Sequence, residues 1–172
     1  PPRSTLFPYT TLFRSFAVAQ SLSDAQRALH VGQNKLVSGN QSLGPMLNLR
    51  LTRPAGLIDV SLLPELRIVE EYEDYVRFGA AITHAEIEDG EVPDPTGHWM
   101  RDAAANIAYR AVRNRGTIGG SLAHADPAAD WVIVMTGMCA TALVHGTEAN
   151  ATLRAIDRKS TRLNSSHVKR FR

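Results

Sequence analysis

The sequence contains a single cysteine, Cys139, and no long apolar run. One sulfur can neither close a disulfide within the chain nor ligate an iron–sulfur cluster by itself. A membrane-spanning helix needs about 20 consecutive apolar residues, whereas Asp, Arg or Gly interrupts every apolar run here after a few positions. The scattered apolar residues of Pro1–Phe16 do not predict a signal peptide. Together these features favour a cytoplasmic protein.

The standard glycine-rich nucleotide signatures are also missing. The sequence has no GxxxxGK[ST] and no GxGxxG. The first of these marks a P-loop and the second a Rossmann dinucleotide site. Neither of these two nucleotide-binding folds is therefore expected.

Positive charge is concentrated at the two ends of the chain. The overall charge is +2, but residues 1–15 and 157–172 hold eight Lys and Arg and only one acid, Asp157. Residues 16–156 hold 11 Lys and Arg against 16 Asp and Glu. A protein that binds nucleic-acid backbones through basic residues is therefore not expected.

The two basic flanks have neither helical nor alternating periodicity. Thr5–Ser15 and Asp157–His167 resemble in-frame translations of the two ends of a short-read sequencing adapter. We therefore expect 1–15 and 157–172 to be non-native, although natural disordered tails are the alternative. Residues 16–156 are then a domain fragment, and the 44% hydrophobic composition of the chain is enough to fill a core.

Short helices and strands alternate irregularly between the flanks. Capping-box patterns at Ser21–Asp24 and Thr83–Glu86 predict two helix starts, and Asp126–Pro127 predicts a third. Apolar spacing predicts a helix at 99–112. Strands are expected at 35–38, 57–60, 67–70, 75–79 and 139–144, the third and fourth of them paired as a hairpin. This mixture indicates an α+β fold.

Two glycine-containing segments are suited to binding a dinucleotide diphosphate. In Leu36–Leu43, Gly39 permits a turn with positive φ, so that successive backbone amides can converge on an anion. In Thr117–Ser121, the paired Gly119 and Gly120 remove Cβ atoms that would keep a pyrophosphate away from the amides. A glycine turn with a purely structural role is the alternative at each site.

Three stretches together resemble the FAD subunits of molybdenum hydroxylases, the xanthine dehydrogenase and aerobic carbon monoxide dehydrogenase family. Residues 37–54 (VSGNQSLGPMLNLRLTRP) resemble the family segment AGGQSLLPMLxLRLxRP. Residues 82–87 (ITHAEI) resemble TTHAEI, and residues 111–130 (AVRNRGTIGGSLAHADPAAD) match VRNRGTIGGSLAHADPAAD almost letter for letter. The first segment departs from the family pattern at three positions, where Ser38 and Asn40 replace the usual Ala and Gly and Gly44 replaces an apolar residue.

The resemblance implies a truncated FAD-binding fold of the vanillyl-alcohol oxidase or p-cresol methylhydroxylase type. Residues 16–156 would then form two α+β subdomains, the second incomplete. Both glycine loops would wrap the FAD, with Ile107 against the flavin and Asp130 at the end of the second motif. The implied cofactor-binding residues are Leu36, Val37, Ser38, Gly39, Asn40, Gln41, Ser42, Leu43, Ile107, Thr117, Ile118, Gly119, Gly120, Ser121 and Asp130.

The resemblance also implies an oxidoreductase subunit rather than a complete enzyme. In the family, a large subunit with the molybdenum cofactor oxidises the substrate, and a small subunit carries electrons through [2Fe–2S] clusters. The FAD subunit passes these electrons to an external acceptor, so no catalytic acid or base is expected here. A scaffold subunit that keeps the fold and a stand-alone flavin oxidase are the alternatives.

Several side chains have competing interpretations. His124, Asp126 and Asp130 are conceivable metal ligands, but their spacing fits no standard site, so no metal is expected. His84 is expected to be a helix-start residue rather than a catalyst. Arg113 and Arg115 are expected to lie at a flavin loop or a subunit interface rather than to bind nucleic acid. Cys139 is expected to be a small buried hydrophobe.

Overall fold

The protein begins with a parallel sheet. The computed structural model describes residues 15–145 and two further strands, 154–156 and 168–171. Three strands pair in the order β1-β3-β2, all parallel, and the two helices α1 and α2 supply the crossovers that parallel neighbours require. The elements are β1 (Ser15–Val18), α1 (Leu22–His30), β2 (Asn34–Val37), α2 (Leu43–Asn48) and β3 (Gly56–Asp59).

The second sheet is antiparallel and begins with the predicted hairpin. A short 3-10 helix, Pro64–Leu66, leads into β4 (Val69–Glu71), which pairs with β5 (Val76–Gly79). The sheet order is β4-β5-β8-β6-β7. Its remaining strands are β6 (Ala142–His145), β7 (Arg154–Ile156) and β8 (Val168–Phe171). The strand β8 lies within the C-terminal flank, and the adapter origin of both flanks stays a prediction.

Five helices lie between the hairpin and β6. They are α3 (His84–Glu88), α4 (Trp99–Asn106), α5 (Arg110–Arg113), α6 (Ile118–His124) and α7 (Asp130–Gly137). Both predicted N-caps are present, but only the second is a full capping box: Ser21 Oγ accepts from the Asp24 amide at 3.1 Å, whereas Thr83 and Glu86 cap each other. The Asp24 carboxylate pairs with Arg27 instead. Every helix in the described part of the chain has nine residues or fewer, and none could span a bilayer.

The core has two main parts. Met100, Ile118 and Trp131, all fully buried, bring α4, α6 and α7 together against Phe78 of β5. A second cluster packs Ala25 of α1 against the parallel sheet and the segment that follows it, and it extends to Ala80 and Ala81. Because residues 80–82 lie between both clusters, this short segment connects the two halves of the fold.

The predicted helix over 99–112 is interrupted in the structure. It ends at Asn106, and a new helix begins at Arg110 after Ala108 adopts a φ of +44°. The Arg113 guanidinium donates to the carbonyls of Ile107 and Ala108 at 3.1 and 3.2 Å. These contacts hold the two carbonyls out of the helix, which explains why an alanine-rich run of good helix formers does not continue.

Two further expectations were wrong. The helix predicted from Asp126 begins only at Asp130, because the Asp126 carboxylate accepts from the Ala128 amide and closes a turn instead. Cys139 is exposed rather than buried, and it has a φ of +53° where the chain leaves α7. Its amide donates to the Thr136 carbonyl, so Cys139 ends the helix and the following strand starts only at Ala142.

Candidate functional site

A cavity of about 680 Å³ opens between the loop that follows β2 and the first turn of α6. Fourteen of the fifteen residues predicted to bind a cofactor line it, although they come from two distant parts of the chain. The exception is Ile118, whose side chain is fully buried in the core. The sequence reasoning missed a further set of lining residues: Lys35, Met46, Val60, Leu66, Ala80, Ala81, His84, Val112, Gly116, Ala123, His124, Asp126 and Ala129.

The first loop offers unpaired backbone donors to this cavity. The amides of Gly39 through Leu43 have no hydrogen-bond acceptor among the described residues. All five of these residues line the cavity. Consecutive free amides of this kind are typical of an anion-binding loop.

The role of Gly39 differs from the predicted one. The positive φ, +59°, belongs to Asn40, a residue type that tolerates this conformation. A Cβ on Gly39 would lie 1.9 Å from the Arg115 carbonyl oxygen and 2.8 Å from the Cα of Gly116. Glycine is therefore required because the first loop lies directly against the segment that leads into the second.

The second loop is a helix start whose amides are already paired. The Ile118 amide donates to the Ile82 carbonyl, and the Gly119 amide donates to the Ala80 carbonyl. The Gly120 amide donates to Thr117 Oγ1 at 3.1 Å, and the Ser121 amide to the Thr117 carbonyl. The idea that the paired glycines open these amides to a pyrophosphate was therefore wrong.

The two glycines of this loop have different surroundings. A Cβ on Gly119 would lie 2.4 Å from the Cβ of Ala80, so this glycine allows α6 to pack on the connecting segment. Gly120 is exposed, and its nearest neighbour is Thr117 Oγ1. The polar groups that this loop can offer to a ligand are thus the hydroxyls of Thr117 and Ser121. Thr117 Oγ1 also lies 3.4 Å from Ser38 Oγ, which links the two loops.

Ile107 reaches the cavity from the interrupted helix. Its position depends on Arg113, which is only 12% exposed and forms a paired contact with Glu88 at 2.7 and 3.0 Å. Hydrogen bonding to Arg113 lowers the pKa of Glu88 below its usual range, so that this carboxylate stays charged. Glu88 thereby holds the arginine that fixes the carbonyls of Ile107 and Ala108.

His84 is a buried residue of the cavity wall. Its backbone amide donates to the Gly116 carbonyl at 2.9 Å, and its Nδ1 accepts from Trp131 Nε1 at 2.9 Å. Burial, aided by the charge of Arg113, lowers the pKa of His84 to about 4. The imidazole is therefore neutral near pH 7. As expected, His84 is the first residue of a helix, but it also lines the cavity.

Acidic residues occupy another part of the cavity. Asp126 and Asp130 line it together with His124, and all three residues are exposed. Among the described residues, no group of three or more His, Cys, Asp or Glu side chains could hold a metal ion. These carboxylates are better suited to accept hydrogen bonds from hydroxyl groups than to lie beside a phosphate.

Residues 11–159 match the protein family described as "FAD binding domain in molybdopterin dehydrogenase". The chain belongs to this family of FAD-binding domains. The family resemblance read from the three sequence motifs is confirmed, and so is the α+β FAD-binding fold.

This FAD-binding domain is similar to named subunits of several oxidoreductases. It is 37% identical over 143 residues to the nicotine 6-hydroxylase medium subunit of Paenarthrobacter nicotinovorans, covering 83% of this chain and 50% of that protein. It is 35% identical over 121 residues to the carbon monoxide dehydrogenase medium chain of Hydrogenophaga pseudoflava, covering 70% and 42%. The FAD-binding domain thus spans about half the length of the curated relatives it matches.

A solved structure has the same fold. The crystal structure of quinoline 2-oxidoreductase from Pseudomonas putida 86 superposes with a TM-score of 0.79 at 29% identity. The match covers 91% of this chain and 57% of that one.

The residues of the cavity fit an FAD. The cavity volume lies within the range of about 300–1,000 Å³ that is usual for small-molecule and cofactor pockets. The free amides of residues 39–43 can donate hydrogen bonds to a diphosphate. Asp126 and Asp130 line the same cavity as the hydroxyl groups of Thr117 and Ser121, so sugar hydroxyls are suitable partners in this part of it. The half-buried Ile107 provides an apolar wall.

Replacing Gly39 by alanine should separate the two loops. We expect Gly39→Ala to destabilise the protein by about 1–3 kcal/mol, because a methyl group would have to displace the Arg115 peptide. The matched control, Asn40→Gly, keeps the positive φ and should change the free energy of unfolding by less than about 0.5 kcal/mol. Urea unfolding measures both, and equal stability of Gly39→Ala and the unaltered protein would contradict the close contact.

The free energy of unfolding should decrease at acidic pH because of His84. Its pKa in the folded state, about 4, lies below the ordinary value of 6.5, so the unfolded state binds the proton more tightly. The stabilisation is complete above about pH 6.5 and is lost as the pH falls toward 4, by on the order of 3 kcal/mol. Urea unfolding at a series of pH values should therefore show a slope in this window that His84→Gln reduces. Identical slopes for both proteins would rule out a buried neutral His84.

Proposed function

We propose that the protein is the FAD-binding electron-transfer subunit of a molybdenum hydroxylase. In this function the cavity would hold an FAD, which would supply the redox chemistry for passing electrons from [2Fe–2S] clusters of a partner subunit to an external acceptor. The observation that carries the proposal is the set of five unpaired amides, Gly39 through Leu43, in the cavity of a chain that belongs to an FAD-binding family.

Different residues of the cavity would bind different parts of the cofactor. The first loop donates backbone N–H groups to the diphosphate, and Asn40 keeps the loop in its conformation through its positive φ. The hydroxyls of Thr117 and Ser121 and the carboxylate of Asp130 bind the hydroxyl-rich parts of the cofactor. Ile107, whose carbonyl is held by Arg113, would provide the apolar contact for the flavin. The protein binds and orients, and the redox chemistry belongs to the cofactor.

The proposal includes two partner subunits. The similar proteins are named as a medium subunit and a medium chain, which indicates assemblies of several chains. The single cysteine of this chain cannot ligate a [2Fe–2S] cluster alone. We therefore infer a small subunit that carries the clusters and a large subunit that carries the molybdenum cofactor. A cytoplasmic location, favoured by the cysteine count, belongs to the same proposal.

Cofactor binding is tested by titrating the chain with FAD and following the quenching of flavin fluorescence. Saturable binding is expected, with FAD bound more tightly than riboflavin because riboflavin lacks the diphosphate. Ser42→Trp should weaken FAD binding at least about 10-fold, since an exposed side chain that lines the cavity becomes large enough to fill it.

The matched control is Ser23→Trp on α1, another exposed serine, which does not line the cavity. It should leave the affinity unchanged. Folded protein that shows no saturable FAD binding would overturn the proposed function and favour a scaffold subunit of the same fold.

Assembly is tested by co-expressing the chain with the proteins encoded beside it in its genome. We expect a complex that co-purifies with FAD, iron, sulfide and molybdenum, and the visible flavin band should bleach when the organic substrate is added. If the organic substrate instead reduces the bound FAD in the absence of any partner subunit, the result would favour the stand-alone oxidase.

A further inference from the structure

His84 lies between the core and the cofactor cavity. It is the first residue of α3, and only 5% of the residue is exposed. On one side it contacts Trp131, which is fully buried and does not line the cavity. On the other side it lies against Gly116, and both residues line the cavity. The imidazole therefore spans the wall from the core to the site.

The contact with Trp131 determines which ring nitrogen carries the proton. An indole N–H can only donate, and Trp131 Nε1 lies 2.9 Å from His84 Nδ1. Nδ1 must therefore be the unprotonated acceptor. Because burial lowers the pKa of His84 to about 4, the ring is neutral, and its single proton lies on Nε2.

The Nε2–H group has no hydrogen-bond acceptor in the part of the chain that the structure describes. None of the described residues forms a hydrogen bond with it, and the atom is not sealed from solvent. A Cβ on residue 116 would lie 2.7 Å from Nε2, so the glycine at that position leaves this edge of the ring uncovered. Because His84 lines the cavity, a water molecule or a bound ligand there can accept from Nε2–H.

We propose that His84 binds the cofactor, donating a hydrogen bond from Nε2–H to an oxygen or nitrogen acceptor of the FAD, while Trp131 fixes the tautomer that makes this possible. The inference rests on the proposed function, because it takes FAD as the ligand of the cavity. Trp131 is a positioning residue in this arrangement, since it acts only through His84.

The first test compares FAD affinities of the full chain. His84→Leu removes the donor and should raise the Kd about 3- to 10-fold, the usual effect of losing one hydrogen bond. His84→Gln keeps an N–H donor on a side chain of similar reach and should recover most of the affinity. Circular dichroism confirms that each variant is folded.

The second test needs no substitution. Nitrogen-15 NMR of the histidine rings should show the His84 proton on Nε2 in the free protein, and the Nε2–H resonance should shift when FAD is added. A proton on Nδ1, or an Nε2–H resonance that does not respond to saturating FAD, would overturn the inference even if the Leu variant fails to fold.

The outcomes separate this inference from the proposed function. If the unaltered chain binds FAD and folded His84→Leu binds it equally well, the role of His84 is refuted and the FAD site stands. If the unaltered, folded chain binds no FAD, the proposed function falls and this inference falls with it.

Discussion

The close contact between Gly39 and the Arg115–Gly116 peptide is the constraint on which the site depends. A Cβ at residue 39 would lie 1.9 Å from the Arg115 carbonyl oxygen, so only glycine lets the two loops meet. Gly116 and Thr117 also pair with the start of α3. The His84 amide donates a hydrogen bond to the Gly116 carbonyl, and Thr83 and Thr117 form a β-bridge. One short extended segment thus holds both glycine loops and the buried histidine around a single cavity.

The two glycine loops look alike in sequence but differ in what they can do. In the first, the amides of 39–43 are free, so the backbone itself can bind an anion. In the second, the amides of residues 118–121 all donate hydrogen bonds to other groups of the protein. The missing side chain of Gly119 allows α6 to pack on Ala80. The free backbone donors therefore lie in the first loop, and the second contributes hydroxyl side chains and the packing that holds the cavity wall in place.

Contacts between residues far apart in sequence also decide how the apolar side of the site is built. Glu88 and Arg113 are 25 positions apart, yet their paired contact places the guanidinium on the carbonyls of Ile107 and Ala108. The local sequence there favours a continuous helix, and the observed break directs Ile107 into the cavity. Another contact between distant residues, from Trp131 Nε1 to His84 Nδ1, fixes which ring nitrogen of this helix-start residue carries the proton.

The sequence by itself determined those features of the fold and the site that depend on neighbouring residues or on family motifs. The caps at Ser21 and Thr83, the β4–β5 hairpin, the FAD-binding family and the fourteen predicted residues that line the cavity follow from short stretches of residues. Only the tertiary structure decided which side chains turn inward and which amides stay free. Ile118 enters the core and Cys139 stays exposed, because these outcomes depend on groups that the fold brings together from distant positions, which no local pattern encodes.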